Sequence, residues 1–418
     1  MNKKIFFRLD WLSILLYLLL VSFGLVNIYS SGFSNTTIVF WDPNYLVGKQ
    51  FWIFIACLII LPFVLAIKSN FFEHLTYIFY GVSIISLLGL FIFGQTVSGA
   101  TSWYSLGSFS LQPSEFAKIS TAMVVALNLS SFQNDLKKNT HLLKIILLVT
   151  LPMLLIILQP DAGSALVFMG IFFVLIREGL NLKFLFLAMG SLLIFLLTLL
   201  FSPLNLSLVM GFIFLILYSL IKRRYPKTKK SPFISTLMIG IVLSYSVSFI
   251  FNTIFEQRHR DRFNIILGLE TDSRGIGYNI NQSKIAIGSG GFSGKGFLNG
   301  SQTKGNFVPE QETDYIFSIV GEEWGFLGSL TLILLFVILI FRIIYKAERH
   351  TSGYARIFSY TFASMLFVHF FVNIGMTLGL VPTVGIPLPF ISYGGSNLLA
   401  FSLMLFIYLN FDANRLNH

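Results

Sequence analysis

The sequence is poor in cysteine and in charge. Cys57 is the single cysteine among 418 residues, so an internal disulfide is excluded. Charged residues make up 11% of the chain, whereas soluble domains carry about a quarter. Hydrophobic residues reach 55%, and the mean hydropathy is +0.79. These two shortages exclude a soluble globular protein and a disulfide-stabilised secreted domain.

Several motifs of well-known enzyme classes are also missing. The six histidines are scattered, and no Cys/His cluster has the spacing of a zinc site. The glycine run at 288–296 lacks the Gly-x4-Gly-Lys-Ser/Thr order of a P-loop, because Gly296 follows Lys295. No Gly-x-Ser-x-Gly elbow accompanies triad partners. Neither a zinc enzyme, a P-loop nucleotidase nor a serine hydrolase is indicated.

Long apolar runs take up most of the chain instead. Runs of about twenty apolar residues are long enough to cross a bilayer as helices. The first run follows a basic start, and no small-residue cleavage site comes after it, so we expect an uncleaved first helix. The sequence predicts an all-α polytopic membrane protein with about twelve spans. They lie near 11–29, 50–67, 74–94, 114–131, 143–159, 163–177, 183–201, 204–221, 232–252, 315–341, 355–379 and 397–412.

Basic residues occupy alternate connections between these runs. With twelve spans they all fall on one face, and the positive-inside rule then places both termini in the cytoplasm. The net charge of +11 is explained in this way, so no nucleic-acid partner is indicated. The basic residues are Lys3, Lys4, Arg8, Lys137, Lys138, Arg177, Lys183, Lys222, Arg223, Arg224, Lys227, Lys229, Lys230, Arg342, Lys346, Arg349 and Arg415.

Four outward connections carry most of the unusual polar sequence. They are 95–113, the turn at 159–161, a long polar interlude at 253–313, and 380–396. Their convergence on one face predicts an extracytoplasmic site. No internal repeat or low-complexity linker divides the chain, so we expect a single domain over 1–418.

Asp314 stands where the interlude re-enters an apolar run. Acids are favoured at the N-terminus of a helix, so one interpretation is capping. Glu310 and Glu312 lie close by in sequence, however. Neighbouring like charges raise the pKa of a carboxyl group, which is what a general base needs. Capping and catalysis both stay open on position alone.

Other ionisable residues lie at or inside the apolar runs. Glu115 and Lys118 are three positions apart, so they share a helical face and either form a structural pair or line a polar cavity. Asp161 either caps the next helix or points into the same cavity. At least one of Glu322 and Glu323, inside the tenth run, is expected to face the protein interior.

The glycine-rich part of the interlude is a candidate anion site. Backbone amides in such a turn can bind an anion without any nucleotide motif. The alternative is a solvated, flexible loop. A metal acting here would be a hard divalent ion held by carboxylates and substrate phosphates. Positive charge in the interlude comes from Arg258, Arg260, Arg262, Lys284, Lys295 and Lys304.

A set of short motifs runs through the chain in order. They are Gly99-Ala100 with Trp103, the stretch 111–119 (LQPSEFAKI), Gln159-Pro160-Asp161, 282–291 (QSKIAIGSGG), Gly294-Lys295-Gly296, 313–317 (TDYIF) with Gly321-Glu322-Glu323, and 387–396 (PLPFISYGGS). In these motifs the chain resembles the SEDS family (shape, elongation, division and sporulation) of membrane polymerases. The RodA branch is matched more closely than the FtsW branch.

The resemblance implies a peptidoglycan glycosyltransferase that polymerises lipid II at the outer face of the bacterial cytoplasmic membrane. It implies a divalent metal (Mg²⁺ or Mn²⁺), contacts with membrane lipid, a class B penicillin-binding protein as transpeptidase partner, and further membrane proteins of the elongation complex. Asp314 matches the family's catalytic aspartate, which acts as general base. The substrate-binding positions would be Trp103, Glu115, Lys118, Asp161, Lys284, Lys295, Ser392 and Tyr393.

The chain departs from the family pattern in three places. Ser102 stands where the family usually has Arg, and Glu312 where it commonly has His. The family has ten helices, whereas the runs at 204–221 and 232–252 predict an inserted membrane hairpin over 204–252. An inserted pair keeps the interlude outside. A flippase or transporter of lipid-linked precursor, and a non-catalytic scaffold that activates the penicillin-binding protein, stay as alternatives.

Overall fold

A computed structural model describes residues 8–33, 39–97, 99–107, 109–131, 136, 138–225, 230–255, 257–269 and 275–415. Two compact units are present, one formed by Met1–Gly179 with Tyr278–His418 and the other by Leu180–Gly277. The predicted division, a single domain 1–418 with a hairpin at 204–252 and a loop at 253–313, stays a prediction. Lys3, Lys4, Lys137, Lys227 and Lys229 lie outside the described residues.

The described chain is almost entirely helical, and the all-α polytopic prediction is confirmed. Before the second unit the elements are α1 (Trp11–Gly32), α2 (Leu46–Ala66), α3 (Ser69–His74), α4 (Thr76–Phe93), β1 (Gln95–Val97), β2 (Ala100–Leu106), β3 (Phe109–Leu111), α5 (Pro113–Ser130), α6 (Asn139–Leu158), α7 (Ala162–Val167) and α8 (Ile171–Arg177). After it begins come α9 (Lys183–Leu200), α10 (Pro203–Arg224), α11 (Ser231–Phe249), α12 (Gln257–Ile266), α13 (Ile276–Ser289), α14 (Ser301–Lys304), α15 (Ile316–Ala347), α16 (Gly353–Thr377) and α17 (Gly395–Asn414).

Ten helices among the described residues are long and apolar enough to cross a membrane. The predicted spans 114–131 and 163–177 are not among them. The first corresponds to α5, whose apolar residues are interrupted by Glu115 and Lys118. The second is divided into α7 and α8 by a 3-10 turn at Phe168–Gly170. The count of twelve spans stays a prediction. The ten helices are α1, α2, α4, α6, α9, α10, α11 with its π-helical continuation, α15, α16 and α17.

A small antiparallel sheet occupies the connection 95–113. Its strands lie in the order β1-β2-β3, with Gln95 opposite Trp103 and Tyr104 opposite Leu111. Gly99 and Gly107 have positive φ angles of 83° and 70° at the two turns. Such backbone angles are natural for glycine and are what tight hairpin turns need. From the sequence, this stretch is predicted only as a connection between helices, and the sheet is not predicted.

The core of the first unit is built around α5. This helix packs against α4, α6, α16 and α17. Pro113 occupies its first turn, where a missing N–H costs nothing. In α16 and α17, 78% and 89% of the most apolar window is buried within the protein. Polar side chains on these three helices therefore face one another rather than lipid.

The second unit contains the membrane helices α9, α10 and α11. α11 packs against both α9 and α10, and a buried hydrogen bond joins Thr198 Oγ1 to Ser244 Oγ over 3.0 Å. Only 6% of the apolar window of α9, and the same share in α10, is buried within the protein. Nearly all of these two helix surfaces is thus left for lipid.

Helix α15 is long and broken near one end. Gly325 has φ 64° and ψ −157°, which interrupts the helical hydrogen bonds about two turns after the helix begins. At the other end, Arg342 pairs with Asp10 and Lys346 pairs with the buried Asp412, both at 2.8 Å. These pairs tie α15 to the start of α1 and the end of α17.

Candidate functional site

Asp314 lies in the turn that leads into α15, and its side chain is half-buried. The N-cap residue of α15 is Tyr315, one position later. An acid directly before the cap still lies at the positive end of the helix, so capping and catalysis both stay open. A carboxylate atom, Oδ2, lies 3.4 Å from the point that a Cβ at Gly385 would occupy. Glycine at that position leaves room beside the carboxylate.

The backbone of the Asp314 turn is held at three consecutive carbonyl groups. The amide of Tyr393 donates to Glu312 O over 2.8 Å, and the hydroxyl of Ser392 donates to Thr313 O over 2.6 Å. The Asn373 side chain donates to Asp314 O over 2.9 Å. The turn therefore has its conformation fixed by residues that are distant in sequence.

Ser392 and Tyr393 thus both contact the turn that carries Asp314. Ser392 is buried, and its oxygen also accepts a hydrogen bond from Leu388 N over 2.8 Å. Burial raises the pKa of the Tyr393 phenol, and the negative charge of Glu312 raises it further. The phenol therefore stays protonated near neutral pH and remains a hydrogen-bond donor.

Glu115 and Lys118 form a fully buried pair on α5. Lys118 Nζ donates to Glu115 Oε1 over 2.7 Å, and Asn397 Nδ2 donates to the second carboxylate oxygen over 3.0 Å. Lys118 also lies 3.0 Å from His369 Nε2 and 5.3 Å from the centre of the Phe401 ring. A buried charge needs such partners, and here both charges have them. Of the two interpretations, the structure favours the structural pair.

His369 links this pair to the segment beside Asp314. Its Nδ1 lies 2.9 Å from the carbonyl oxygen of Pro387. A carbonyl can only accept, so Nδ1 carries the proton and Nε2 accepts from Lys118. One turn along α16, Asn373 also donates to Ile386 O over 2.7 Å. Two side chains of one helix thus hold consecutive carbonyls of the 380–396 connection.

Asp161 is both the N-cap of α7 and part of a second polar group. Its Oδ1 accepts from Ser164 N over 3.0 Å, and its Oδ2 accepts from Gln112 Nε2 over 3.0 Å. The backbone amide of Gln112 in turn donates to Ser396 Oγ over 3.0 Å. Of the two interpretations of Asp161, capping is observed. The residue is also only half-buried, so its side chain is accessible from the protein surface.

Gly163 brings this group against the Asp314 region. A Cβ at Gly163 would lie 2.3 Å from Val384 O and 3.1 Å from Gly385 O. Gly385 is the residue that adjoins the Asp314 carboxylate. The starts of α7 and α15 are therefore neighbours across the 380–396 connection, although they are far apart in sequence.

Trp103 lies on β2 of the small sheet and is half-buried. The neighbouring Thr101 donates its amide to Gln159 O over 3.1 Å, and Ser396 Oγ donates to Ser110 O on β3 over 3.3 Å. The sheet is therefore joined to the Asp161 turn and to the start of α17. Ser102, one of the departures from the family pattern, is buried.

Lys295 is engaged by a buried acid. Its Nζ donates to Glu322 Oε1 over 2.7 Å and to Ser301 Oγ over 2.8 Å. Glu322 further accepts from the amides of Gln302 and Thr303 at the start of α14, over 2.9 and 2.8 Å. Glu322 and Glu323 are both buried. The expectation that at least one of this pair faces inward is met by both.

The glycine run crosses the break in α15. The amides of Lys295 and Gly296 donate to Glu322 O and Glu323 O over 3.0 Å each, while Phe326 N donates to Gly291 O over 3.0 Å. A Cβ at Gly290 would lie 1.9 Å from Gly321 O, so a side chain there is impossible without movement. We refer to residues 290–296 as the strap. Four of its amides, those of Gly290, Gly294, Lys295 and Gly296, donate to carbonyl groups of the protein itself. The anion site stays a prediction.

Lys284 lies on α13 and is exposed. Its Nζ approaches Gly379, where a Cβ would lie 2.6 Å from the nitrogen, and Gly379 has a φ of +69°. The preceding residue, Ser283, is buried and donates to Thr377 O over 2.9 Å. The end of α16 therefore positions an exposed cation.

Three residues of this region were not identified from the sequence. They are His369, Asn373 and Asn397. All three are buried polar residues inside apolar helices. Polar groups in such helices face the protein interior and are often functional, so this was a usable signal. His369 and Asn373 are also four positions apart, which places them on one helical face.

Comparison with known proteins bears directly on these motifs. A family model described as "Cell cycle protein" (FtsW, RodA and SpoVE) matches residues 10–218 and 206–417. Peptidoglycan glycosyltransferase RodA of Treponema pallidum (strain Nichols) is 33% identical, covering 97% of this chain and 98% of the relative. Peptidoglycan glycosyltransferase MrdB of Escherichia coli (strain K12) is 33% identical over 86% of this chain and 83% of the relative.

Solved structures share the fold. A chain from a peptidoglycan synthase complex that coordinates polymerization and crosslinking matches 98% of this chain and 99% of itself, with a TM-score of 0.72 and 24% identity. The rod shape determining protein RodA of Thermus thermophilus matches with a TM-score of 0.63, 24% identity and 97% coverage of both chains. The family model and the relatives at 33% identity show that the chain belongs to the FtsW, RodA and SpoVE family, the SEDS family that its motifs indicate.

Proposed function

We propose that this protein is a peptidoglycan glycosyltransferase that polymerises lipid II. The family and the names of its relatives at 33% identity support this reaction. The observation that carries it is the half-buried carboxylate of Asp314, on a turn fixed at three consecutive carbonyls. A reactive group needs such support to stay within a fraction of an ångström of its productive position.

In this mechanism Asp314 accepts the proton of the acceptor sugar's 4-hydroxyl. The hydroxyl oxygen then forms a bond to the anomeric carbon of the donor. The bond from that carbon to the diphosphate oxygen breaks, and undecaprenyl diphosphate leaves with the electron pair. Nearby cations stabilise the charge that develops on the leaving group. Lys284 suits this role because it is exposed.

The other residues predicted to contact substrate fall into two groups, those that are partly exposed and those that are buried. Trp103, Asp161 and Tyr393 are half-buried and can reach a substrate from outside. Glu115, Lys118 and Ser392 are buried with protein partners, so we assign them to positioning the Asp314 region. Lys295 is partly exposed but neutralises Glu322, and its assignment to the diphosphate stays a prediction.

A divalent cation, Mg²⁺ or Mn²⁺, belongs to the proposal. The described residues contain no cluster of three His, Cys, Asp or Glu side chains that could hold a metal by itself. Hard cations are commonly held by one or two carboxylates together with substrate phosphates. Asp314 and Glu312, which are two positions apart and both half-buried, are the carboxylates that could contribute. Such an ion would offset the charge of the diphosphate.

We predict that polymerisation depends on this ion. Chelation of divalent cations should abolish glycan formation by the purified protein, and added Mg²⁺ or Mn²⁺ should restore it. The measurement is polymer length on a gel, with Ca²⁺ and Zn²⁺ as comparison ions. Undiminished polymerisation in excess chelator would remove the metal from the mechanism.

We further propose where the protein acts and with what. The positive-inside pattern supports a multi-pass protein of the cytoplasmic membrane, with both termini in the cytoplasm and Asp314 at the outer face. A class B penicillin-binding protein would supply the transpeptidase that this chain lacks, together with other elongation-complex proteins. A solved neighbour from a synthase complex supports such an assembly.

Reconstitution tests the function against its alternatives. The protein is placed in liposomes with lipid II and divalent metal, alone and with the penicillin-binding protein. Glycan polymer formed in both samples is the expected result. Transfer of fluorescent lipid II between leaflets without polymer would instead identify a flippase. Polymer made only by the partner, with this chain contributing no transfer, would identify a scaffold.

The link through His369 gives a separate prediction. His369→Leu leaves the Pro387 carbonyl without its donor and removes one partner of Lys118. We expect kcat to fall about tenfold or more with KM nearly unchanged, because small displacements of a catalytic group are costly. His369→Gln keeps one donor and one acceptor and should recover most of the rate. Equal rates for the two variants would contradict the positioning role.

A further inference from the structure

The second unit carries a compact group of positive charges at the turn of its membrane hairpin. Helix α10 ends with Lys222, Arg223 and Arg224, and Lys230 is the N-cap residue of α11. All four side chains are exposed. We call these four residues the basic tip. The intervening sequence adds Lys227 and Lys229, which lie outside the described residues.

No acidic residue is available nearby in sequence to balance the basic tip. The chain contains no aspartate or glutamate from 179 to 255, but it contains seven lysines and arginines there. Asp261 is the one acidic side chain among the described residues of the second unit, and it accepts a hydrogen bond from Gln257. This contrasts with Arg342 and Lys346, each paired with an acid. Among the described residues, none of the four cations of the basic tip has an acidic partner within the second unit.

The two halves of the basic tip are held together by aromatic packing. The rings of Phe214 and Tyr218 on α10 are stacked, with centroids 6.2 Å apart. Phe233 on α11 packs edge-on against Tyr218, with centroids 5.7 Å apart. This cluster lies about one turn inside the membrane from the charges. It keeps the end of α10 beside the start of α11.

Helix electrostatics explain only part of this arrangement. Cations in the last turn of α10 interact favourably with the negative end of its dipole. Lys230 has the opposite situation, because it stands at the positive end of α11. The same end of α11 is also close to the three cations of α10 through the aromatic cluster. An anion at this position would relieve the repulsion among them.

We propose that the basic tip binds the phosphate groups of anionic phospholipids, such as phosphatidylglycerol, at the membrane surface. The charges directly follow one membrane-spanning helix and precede the next, so they lie at the level of the lipid headgroups. Basic clusters beside membrane helices attract anionic lipid in this way. Acidic proteins and nucleic acids are less suitable partners, because the flanking surfaces are lipid-facing.

The test uses the full-length protein in detergent micelles with mixed phosphatidylglycerol and phosphatidylcholine. Retained lipids are counted by native mass spectrometry. A variant with Lys222→Gln, Arg223→Gln, Arg224→Gln and Lys230→Gln should lose roughly tenfold or more in apparent affinity for phosphatidylglycerol, since each cation contributes to surface attraction. Phosphatidylcholine binding should stay unchanged. Arg223→Lys with Arg224→Lys keeps the charge and should retain most of the binding.

A control variant removes the same number of charges elsewhere. Lys68→Gln, Lys138→Gln, Lys144→Gln and Arg349→Gln alter exposed cations that are dispersed along the first unit. This control should bind phosphatidylglycerol as the unaltered protein does. Equal losses in both variants, or no loss in either, would overturn the proposal. It would also be overturned if inorganic phosphate or a short oligonucleotide bound the basic tip while phosphatidylglycerol did not.

Discussion

Asp314→Asn is expected to abolish polymerisation while leaving lipid II bound. The amide has nearly the shape of the carboxylate, and the carbonyls that hold the turn belong to the backbone. What is lost is the ability to accept a proton, which is worth about 10²- to 10⁴-fold in rate. The measurements are glycan formation under single-turnover conditions and, separately, the equilibrium binding of fluorescent lipid II.

Glu310→Gln provides the matched control for this result. Glu310 is exposed and lies in the same acidic stretch, so the variant loses one negative charge close to Asp314. A general base at Asp314 predicts a far smaller loss of rate for Glu310→Gln than for Asp314→Asn, because the proton acceptor itself is kept. Two variants impaired to the same degree would point to the overall charge of the stretch. An active Asp314→Asn variant would remove the base from the mechanism.

Gly290→Ala is expected to destabilise the whole protein. The new Cβ would lie 1.9 Å from the carbonyl oxygen of Gly321 and 2.8 Å from that of Glu322, and backbone atoms cannot swing aside as a side chain can. The strap must therefore move away from the break in α15. Overpacking of this kind costs about 1–3 kcal/mol, and occasionally more. Thermal unfolding followed by intrinsic tryptophan fluorescence should show a lower midpoint, and polymerisation should fall with it.

Gly288→Ala tests whether the loss is specific to the strap. Gly288 lies in α13, and a Cβ there would meet nothing within 4 Å. Alanine favours a helix over glycine by up to about 1 kcal/mol, so this variant should be as stable as the parent or slightly more so. If the two substitutions lowered the midpoint equally, the close contact at Gly290 would not be the cause.

The all-α membrane fold could be predicted because it depends on local sequence. Apolar runs give the helices without any long-range information. The orientation inferred from the basic residues stays a prediction. The spacing of Glu115 and Lys118 likewise predicts a pair on one helical face. The same local patterns could not show that α5 is buried on all sides. Its position depends on four helices that are distant in the chain.

The Asp314 region shows the limit more clearly. Local sequence singles out the acid, but Asn373, Ser392 and Tyr393, which hold its turn, come from later helices and connections. Nothing in their own neighbourhoods specifies this pairing. The glycine run poses a related difficulty. Its glycines allow the strap to approach α15 closely. The close approach is required because α15 is broken at Gly325, and this break is visible only in three dimensions.

The bracing of the Asp314 turn has a consequence for biosynthesis. A membrane chain is inserted in order, from the N-terminus onward, so α15 and its preceding turn enter the bilayer before α16 and α17. The side chains that fix the turn are on α16 and on the segment that leads into α17. We expect a nascent chain with α15 already inserted to be catalytically silent until its last two helices have been integrated. Unfinished protein would then leave the pool of lipid-linked precursor untouched.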